Sequence, residues 1–260
     1  MILDDIVRST KSRVSEEKRK TPFKDMRDAA LSMGRLKGGS FKKSIGKPDM
    51  SFICEVKKAS PSKGVISSDF QHVRIAQEYE RAGADAVSVL TEPEFFLGCD
   101  RYLEDISKSI GLPTLRKDFV IDSYQVYQAR TLGASAVLLV SSILSDRSLA
   151  ECITVAEELG MSALTEVRNP DEVERALNAG ADIIGANNRD LRTFKVDLSA
   201  SVRLRDEVPD GVLFVAESGI RSRADVKALE NCGADAVLIG ESMMRSEDKK
   251  GYLDMLKGFV

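Results

Sequence analysis

Four stretches of this sequence end on side chains of the kind that move protons. SFICEVK (51–57) closes with Glu55 and Lys57, PTLRKDF (113–119) carries Lys117 and Asp118, SALTEV (162–167) carries Glu166, and LFVAES (213–218) ends in Glu217 and Ser218. Residues two apart in an extended strand point the same way, so Glu55 and Lys57 share a face. Gathered at one mouth, Glu55, Lys57, Lys117, Glu166 and Glu217 would set several acids against two ammonium groups. Such crowding shifts pKa values and suits general acid–base catalysis. A single charge at a strand end would simply meet solvent, but four strands ending this way call for a common site. The lysine pair leaves a second chemistry open, a Schiff base with a carbonyl substrate as in aldolases.

Two further turns have the composition of an anion site. ESGIRS (217–222) and IGESMM (239–244) each place a glycine at the turn. Backbone N–H groups at such positions approach a phosphate closely, and Gly219 and Gly240 are read in that role. Other residues point to less. His72, the sole histidine, falls near the start of a helical stretch, away from every strand end. The cysteines at 54, 99, 152 and 232 are scattered, so neither a zinc site nor a Ser–His–Asp triad is expected. They read as buried free thiols of a reducing compartment. The basic cluster Lys37, Lys42, Lys43 and Lys47 reads as a solvated loop whose most specific role would be steering an anion inward.

The elements that must hold these residues are written in a repeat. AGADAVSVL (82–90), LGASAVLLV (132–140), AGADIIGAN (179–187) and CGADAVLIG (232–240) place their glycines 50, 47 and 53 residues apart. Each reads as helix, glycine cap, tight turn and buried parallel strand. The four charged stretches lie midway between them, which makes eight strands alternating with about eight helices. Val73, Ala76, Tyr79 and Ala82 mark one helix face, Asn169 and Pro170 begin another helix, and Ser222 caps a third. This alternation predicts an α/β protein, a single (β/α)8 TIM barrel whose charged strand ends share the C-terminal mouth. A doubly wound open sheet is the alternative, and it lacks the G-x-G-x-x-G loop after its first strand. Residues 1–50 form an N-terminal helical extension, with one helix over LDDIVRSTKSRVSEEKR, too short for its own domain.

Composition agrees with a large soluble core. At 260 residues the chain has the length one such barrel of roughly 250 residues consumes, with 43% hydrophobic and 30% charged residues. Its 38 basic and 41 acidic residues give a net charge of −3, so neither nucleic acid nor an anionic membrane is an expected partner. Asp4 and Asp5 stand where a secretion signal needs basic then apolar residues, and no apolar run approaches a membrane span. A cytoplasmic location, one domain (1–260) and no fused second barrel are expected.

FICEVKKASPSKG (52–64) closely resembles the signature of the indole-3-glycerol phosphate synthase family. The resemblance continues through ILDDIV (2–7), LTEPEFF (90–96), LRKDFVID (115–122), LTEV (164–167), GANNRDL (185–191), VAESGI (215–220) and VLIGESMMR (237–245). It spans essentially the whole chain in order, AVLLVSSIL (136–144) being the least distinctive part. The resemblance implies a lyase of tryptophan biosynthesis that closes the ring of 1-(2-carboxyphenylamino)-1-deoxyribulose 5-phosphate with loss of carbon dioxide and water. It implies no cofactor, no metal and a phosphorylated small molecule as partner. Lys117 resembles the family's general acid and Glu166 its acid–base partner. Lys57, beside Glu55, is implied to hold the substrate and assist dehydration, while Asn187 and Glu217 complete the polar ring. Ser60 and Arg189 match residues near the substrate carboxylate; Phe96, Phe119, Leu138 and Leu191 match the apolar wall. Ser218, Gly219, Gly240 and Glu241 match the phosphate turns. Glu241 stands where some relatives have a small hydroxyl residue, and a bound phosphate tolerates it only with its side chain turned away.

Two rivals remain in other classes. A barrel resembling phosphoribosylanthranilate isomerase would be expected to use a cysteine and an aspartate at strand ends, whereas Cys54 lies inside the first strand. A barrel that merely binds a phosphorylated metabolite or a protein would leave the acids and bases without a purpose.

Overall fold

In the computed structural model, which describes residues 2–36, 40–190 and 193–259, eight parallel strands close into a barrel. They are β1 (Ser51–Val56), β2 (Ala86–Leu90), β3 (Thr114–Lys117), β4 (Ala136–Val140), β5 (Ser162–Val167), β6 (Ile183–Asn187), β7 (Leu213–Glu217) and β8 (Ala236–Ile239). Each pairs with its neighbours in sequence, and β1 pairs with β8 to complete the ring. The open-sheet alternative is excluded.

Strand alternation sorts the side chains into two cores. Phe52, Cys54 and Val56 of β1 face outward to the helices, in one cluster with Val87, Val137 and Val237. Ile53 faces inward with Ala86, Leu115, Ala136, Leu164, Ile183, Val215 and Ala236. Two residues further along their strands, Glu55, Lys117, Glu166 and Glu217 share that inward phase. The polar ring is thus the next layer of the barrel interior toward the mouth.

The helices between strands are α4 (His72–Ala82), α5 (Asp100–Ser109), α6 (Ser123–Thr131), α7 (Asp146–Glu158), α8 (Pro170–Asn178), α9 (Ser199–Arg205) and α10 (Arg223–Asn231); α11 (Glu241–Arg245) and α12 (Lys249–Lys257) follow β8. Their ends follow the sequence signals. Asn169 accepts from the N–H of Glu172, Ser222 forms a capping box with Asp225, and Gly83 and Gly180 take φ of 90° and 92° at helix ends. On α4 the buried face is Ile75, Ala76, Tyr79 and Ala82; Val73 is only partly covered, so Ile75 takes the place expected for it.

The N-terminal extension holds three helices rather than one: α1 (Ile2–Lys20), α2 (Phe23–Ser32) and α3 (Ser40–Ile45). Helix α1 crosses the mouth, where Arg13 pairs with Asp118 and Lys18 with Asp122. Helix α2 runs down beside α6, and α3 seals the opposite end with buried Phe41 and Ile45. This corrects the reading of the basic cluster. Lys42 and Lys43 lie in α3, Lys42 pairs with Asp182 and Lys47 with Asp85, just before β6 and β2. They serve the end remote from the mouth and steer nothing into it; Lys37 lies outside the described residues.

Candidate active site

A single cavity at the C-terminal mouth is lined by every candidate residue within the described set. Glu55, Lys57 and Ser60 come from β1 and its loop, Phe96 from the loop after β2, Lys117 from β3 and Phe119 from the loop after it, and Leu138 from β4. Glu166 comes from β5, Asn187 and Arg189 from β6 and the loop after it, Glu217, Ser218 and Gly219 from β7 and its turn, Gly240 from the turn after β8 and Glu241 from the start of α11. Leu191 lies outside the described residues. Ile2 and Ile6 of α1 complete the cavity from above.

At its floor lie three buried carboxylates and two ammonium groups. Lys117 Nζ donates to Glu217 Oε2 at 3.0 Å and to Glu166 Oε2 at 3.4 Å, while Lys57 donates to Glu55 Oε1. Glu55, Glu166 and Glu217 are each no more than 3% exposed. Burial alone would lower Lys117, but Glu217, Glu166 and Glu55 together overcome it and hold the ammonium above its ordinary value. A Schiff-base lysine must react as a free amine, the form that this surrounding of carboxylates disfavours. Glu217 is pushed up to about 7, first by burial and further by Glu166 and Glu55, against the pull of Lys117. The second oxygens of Glu166 and Glu217 are buried without a hydrogen-bond partner, free to receive a ligand's proton or donor group.

Two glycines make room for this ring, a role not read from sequence. A Cβ at Gly185 would stand 2.4 Å from Glu217 Oε1, and one at Gly240 would stand 2.3 Å from Glu55 Oε1 and 2.8 Å from Lys57 Nζ. Gly240 therefore accommodates the Glu55–Lys57 pair, in addition to any approach it offers an anion.

The apolar wall is fixed from behind. Phe96 and Phe119 meet at 6.0 Å between ring centroids, over buried Leu138. Phe96 is held by Glu92, whose buried carboxylate accepts from the N–H groups of Glu94, Phe95 and Phe96. Next to Lys117, Asp118 accepts from Arg13 at 2.8 Å, Thr91 at 2.9 Å and Arg116 at 3.2 Å. Burial would raise Asp118, but Arg116 and Arg13 outweigh it and hold the carboxyl below its ordinary range.

The two turns lie side by side at the ends of the paired strands β7 and β8, joined where Ser242 Oγ donates to the Ile220 carbonyl at 3.1 Å. Ser218 adopts φ 68° and Gly219 φ 86°; a Cβ on Gly219 would meet Val196 Cγ1 at 2.3 Å. Ser218, a rare non-glycine in the left-handed region, has its carbonyl held by Asn188 Nδ2, while Asn188 Oδ1 accepts from Ser201. Asn188 was not singled out in the sequence, although it sits in the GANNRDL motif. Glu241 turns its carboxylate to Arg245 at 3.3 Å and Lys63 at 3.7 Å. Asn187 Oδ1 accepts from the N–H of Arg189, whose guanidinium donates to the Phe194 carbonyl. Arg221 and Ser242 also line the cavity and were not foreseen.

The cysteine-based rival finds no support here. Cys54 faces the helices and its buried thiol is pushed up to about 12. Cys152 is likewise buried, whereas Cys99 and Cys232 are only partly covered, contrary to the expectation for all four.

Comparison with known proteins identifies the family. A family model described as indole-3-glycerol phosphate synthase matches residues 3–256. Among similar curated proteins, the indole-3-glycerol phosphate synthase of Ruminiclostridium cellulolyticum is 49% identical over 99% of both chains. That of Endomicrobium trichonymphae is 52% identical over 99% of this chain and 100% of its own. Among solved structures, the 3-hexulose-6-phosphate synthase of Salmonella typhimurium aligns with a TM-score of 0.66 at 17% identity, covering 80% of this chain and 97% of its own. That likeness speaks for the barrel alone.

Proposed function

The chain belongs to the indole-3-glycerol phosphate synthase family, and from that premise we propose how its own residues divide the reaction. The enzyme is a carboxy-lyase of tryptophan biosynthesis. It converts 1-(2-carboxyphenylamino)-1-deoxyribulose 5-phosphate to indole-3-glycerol phosphate, carbon dioxide and water. The carboxylate-bearing ring carbon attacks the ketone carbon, and the proton of Lys117 goes to the ketone oxygen as charge develops there. Carbon dioxide leaves with its bonding pair returned to the ring. The new hydroxyl then departs as water, with Lys57 assisting and Glu166 taking the ring-carbon proton. Glu55 holds Lys57, and Asn187 and Glu217 complete the polar ring.

Phe96, Phe119 and Leu138 wall the aromatic ring, so that the two reacting ends are held together away from water. Ser60 and Arg189 serve the substrate carboxylate. The phosphate is bound by the backbone at Ser218, Gly219, Gly240 and Glu241, with the Glu241 side chain directed elsewhere. Binding energy from that remote anchor offsets the contortion at the reacting carbons.

The observation that carries this division is a single ammonium, Lys117, shared by two buried carboxylates beneath an aromatic wall. Indole fluorescence tests it, against little background because the chain has no Trp. Loss of that signal in Lys117→Ala, with substrate binding kept, supports the assignment; a covalent adduct on borohydride treatment with substrate would replace it by a Schiff base.

We read the chain as one cytoplasmic domain needing no metal or organic cofactor and binding neither nucleic acid nor membrane. The free thiols and the −3 net charge support this, and no helix among the described residues is long and apolar enough to cross a membrane. Unchanged activity in chelator is the expected result, since one histidine and scattered thiols offer no ligand set; loss restored by one divalent metal would contradict it.

A further inference from the structure

The loop after β1 carries a short hairpin, in which Ala59–Ser60 pairs antiparallel with Gly64–Val65. Ser60, Pro61 and Ser62 of its turn line the cavity, and the next residue, Lys63, reaches across to the loop after β8, where its Nζ lies 3.7 Å from Glu241 Oε1. Glu241 already has a cation of its own. Arg245, one helical turn away in α11, bonds the same oxygen at 3.3 Å. Of two cations on one carboxylate, Lys63 is the one not fixed to the same element.

We infer that Lys63 is a substrate-phosphate ligand carried by the hairpin, and that Glu241 is its resting partner in the empty enzyme. This rests on the reading that the turns at Gly219 and Gly240 bind phosphate. The Lys63 and Glu241 side chains are 38% and 22% exposed, and a half-exposed pair of this kind contributes little to stability. Exchanging it for a pair with a phosphate dianion therefore costs little, and Arg245 keeps Glu241 partnered after Lys63 leaves. The exchange also answers the presence of a carboxylate beside an anion site: Glu241 attracts a lysine to the mouth and releases it to a ligand of higher charge. Because Lys63 follows Ser60–Ser62 directly, its capture by phosphate would draw the hairpin over the bound substrate.

The test is steady-state kinetics with inorganic phosphate as competing ligand, in wild type, Lys63→Met, Lys63→Arg and Glu241→Gln. Loss of one charge-assisted contact in Lys63→Met should raise both the substrate KM and the Ki of phosphate about tenfold or more. Turnover should stay within about twofold, as for an interaction made equally in ground and transition states. Lys63→Arg should restore both constants, and Glu241→Gln should leave the phosphate Ki unchanged or lower it. A raised KM with unchanged Ki would overturn the proposal, since Lys63 would then only shape the hairpin. Unchanged KM and Ki would overturn it too, as would a raised Ki in Glu241→Gln. Failure of the underlying reading looks different: inorganic phosphate would then not compete with substrate in the wild type.

Discussion

At the scale of single residues, the site is governed by an imbalance: three buried carboxylates share two ammonium groups. Lys117 is the pivot, and the loss of a general acid typically costs 10²- to 10⁴-fold in rate. Lys117→Ala should accordingly remove nearly all turnover while substrate affinity, which the proposed wall and phosphate turns would set, stays within about tenfold. Turnover above a tenth of wild type would reassign the acid. Room for the carboxylates is as decisive as their charge. Gly240→Ala would drive a Cβ into Glu55 and Lys57, and Gly185→Ala into Glu217, so both should lower kcat. Displacement of catalytic groups by about an ångström can cost on the order of 10²-fold. A change confined to KM in Gly240→Ala would return that glycine to a phosphate-only role. The acids and bases themselves were legible in the sequence because strand ends and alternation determine where they point. What a missing Cβ makes room for was not, since it depends on residues more than thirty positions away that only the closed barrel brings near.

At the scale of elements, the repeat was readable because each helix end carries its own punctuation: a cap such as Asn169 or Ser222, then a left-handed glycine. The elements that escaped notice lack such marks. Helix α2 buries only Ala30, α3 buries two residues, and the hairpin at 59–65 pairs only two residues on each side. None of them offers a long periodic pattern to detect. Long-range docking was equally invisible. Asp118, next to Lys117, joins α1 to β3 by accepting from Arg13 and Arg116 while fully buried. Asp118→Asn leaves Arg116 with Asp100 and Arg13 with Glu17 as remaining carboxylate partners, so it should destabilise the fold by less than the about 3–5 kcal/mol of a buried charge left wholly unpaired. Arg13→Met, which removes only the α1 partner, should cost less. Urea unfolding of the two variants and their double mutant would measure the coupling. Additive effects would mean that the Arg13–Asp118 pair does not hold α1 to the barrel.

At the scale of the whole molecule, the extension spans the barrel from end to end: α1 lies over the mouth and α3 over the opposite end, with Ile6, Phe41 and Ile45 joined to the interior core. The enclosure this creates has an energetic consequence. Glu217 sits where burial lifts its pKa to about 7, well above the ordinary carboxylate range, so the folded protein holds that proton more tightly than the unfolded chain. Below the ordinary range both states are protonated and the site costs nothing. As pH rises from there to about 7 the unfolded chain ionises first, and stability falls; above about 7 the full penalty, roughly 3 kcal/mol, persists. Glu217→Gln cannot ionise and escapes that penalty. Its stability relative to wild type should therefore be near parity around pH 5 and clearly higher at pH 8, even though it gives up an ion pair with Lys117 and is expected to be a poorer catalyst. Denaturation midpoints of both proteins at the two pH values decide the matter. An equal difference at pH 5 and pH 8 would show that Glu217 is ionised throughout, and that Lys117 outweighs its burial.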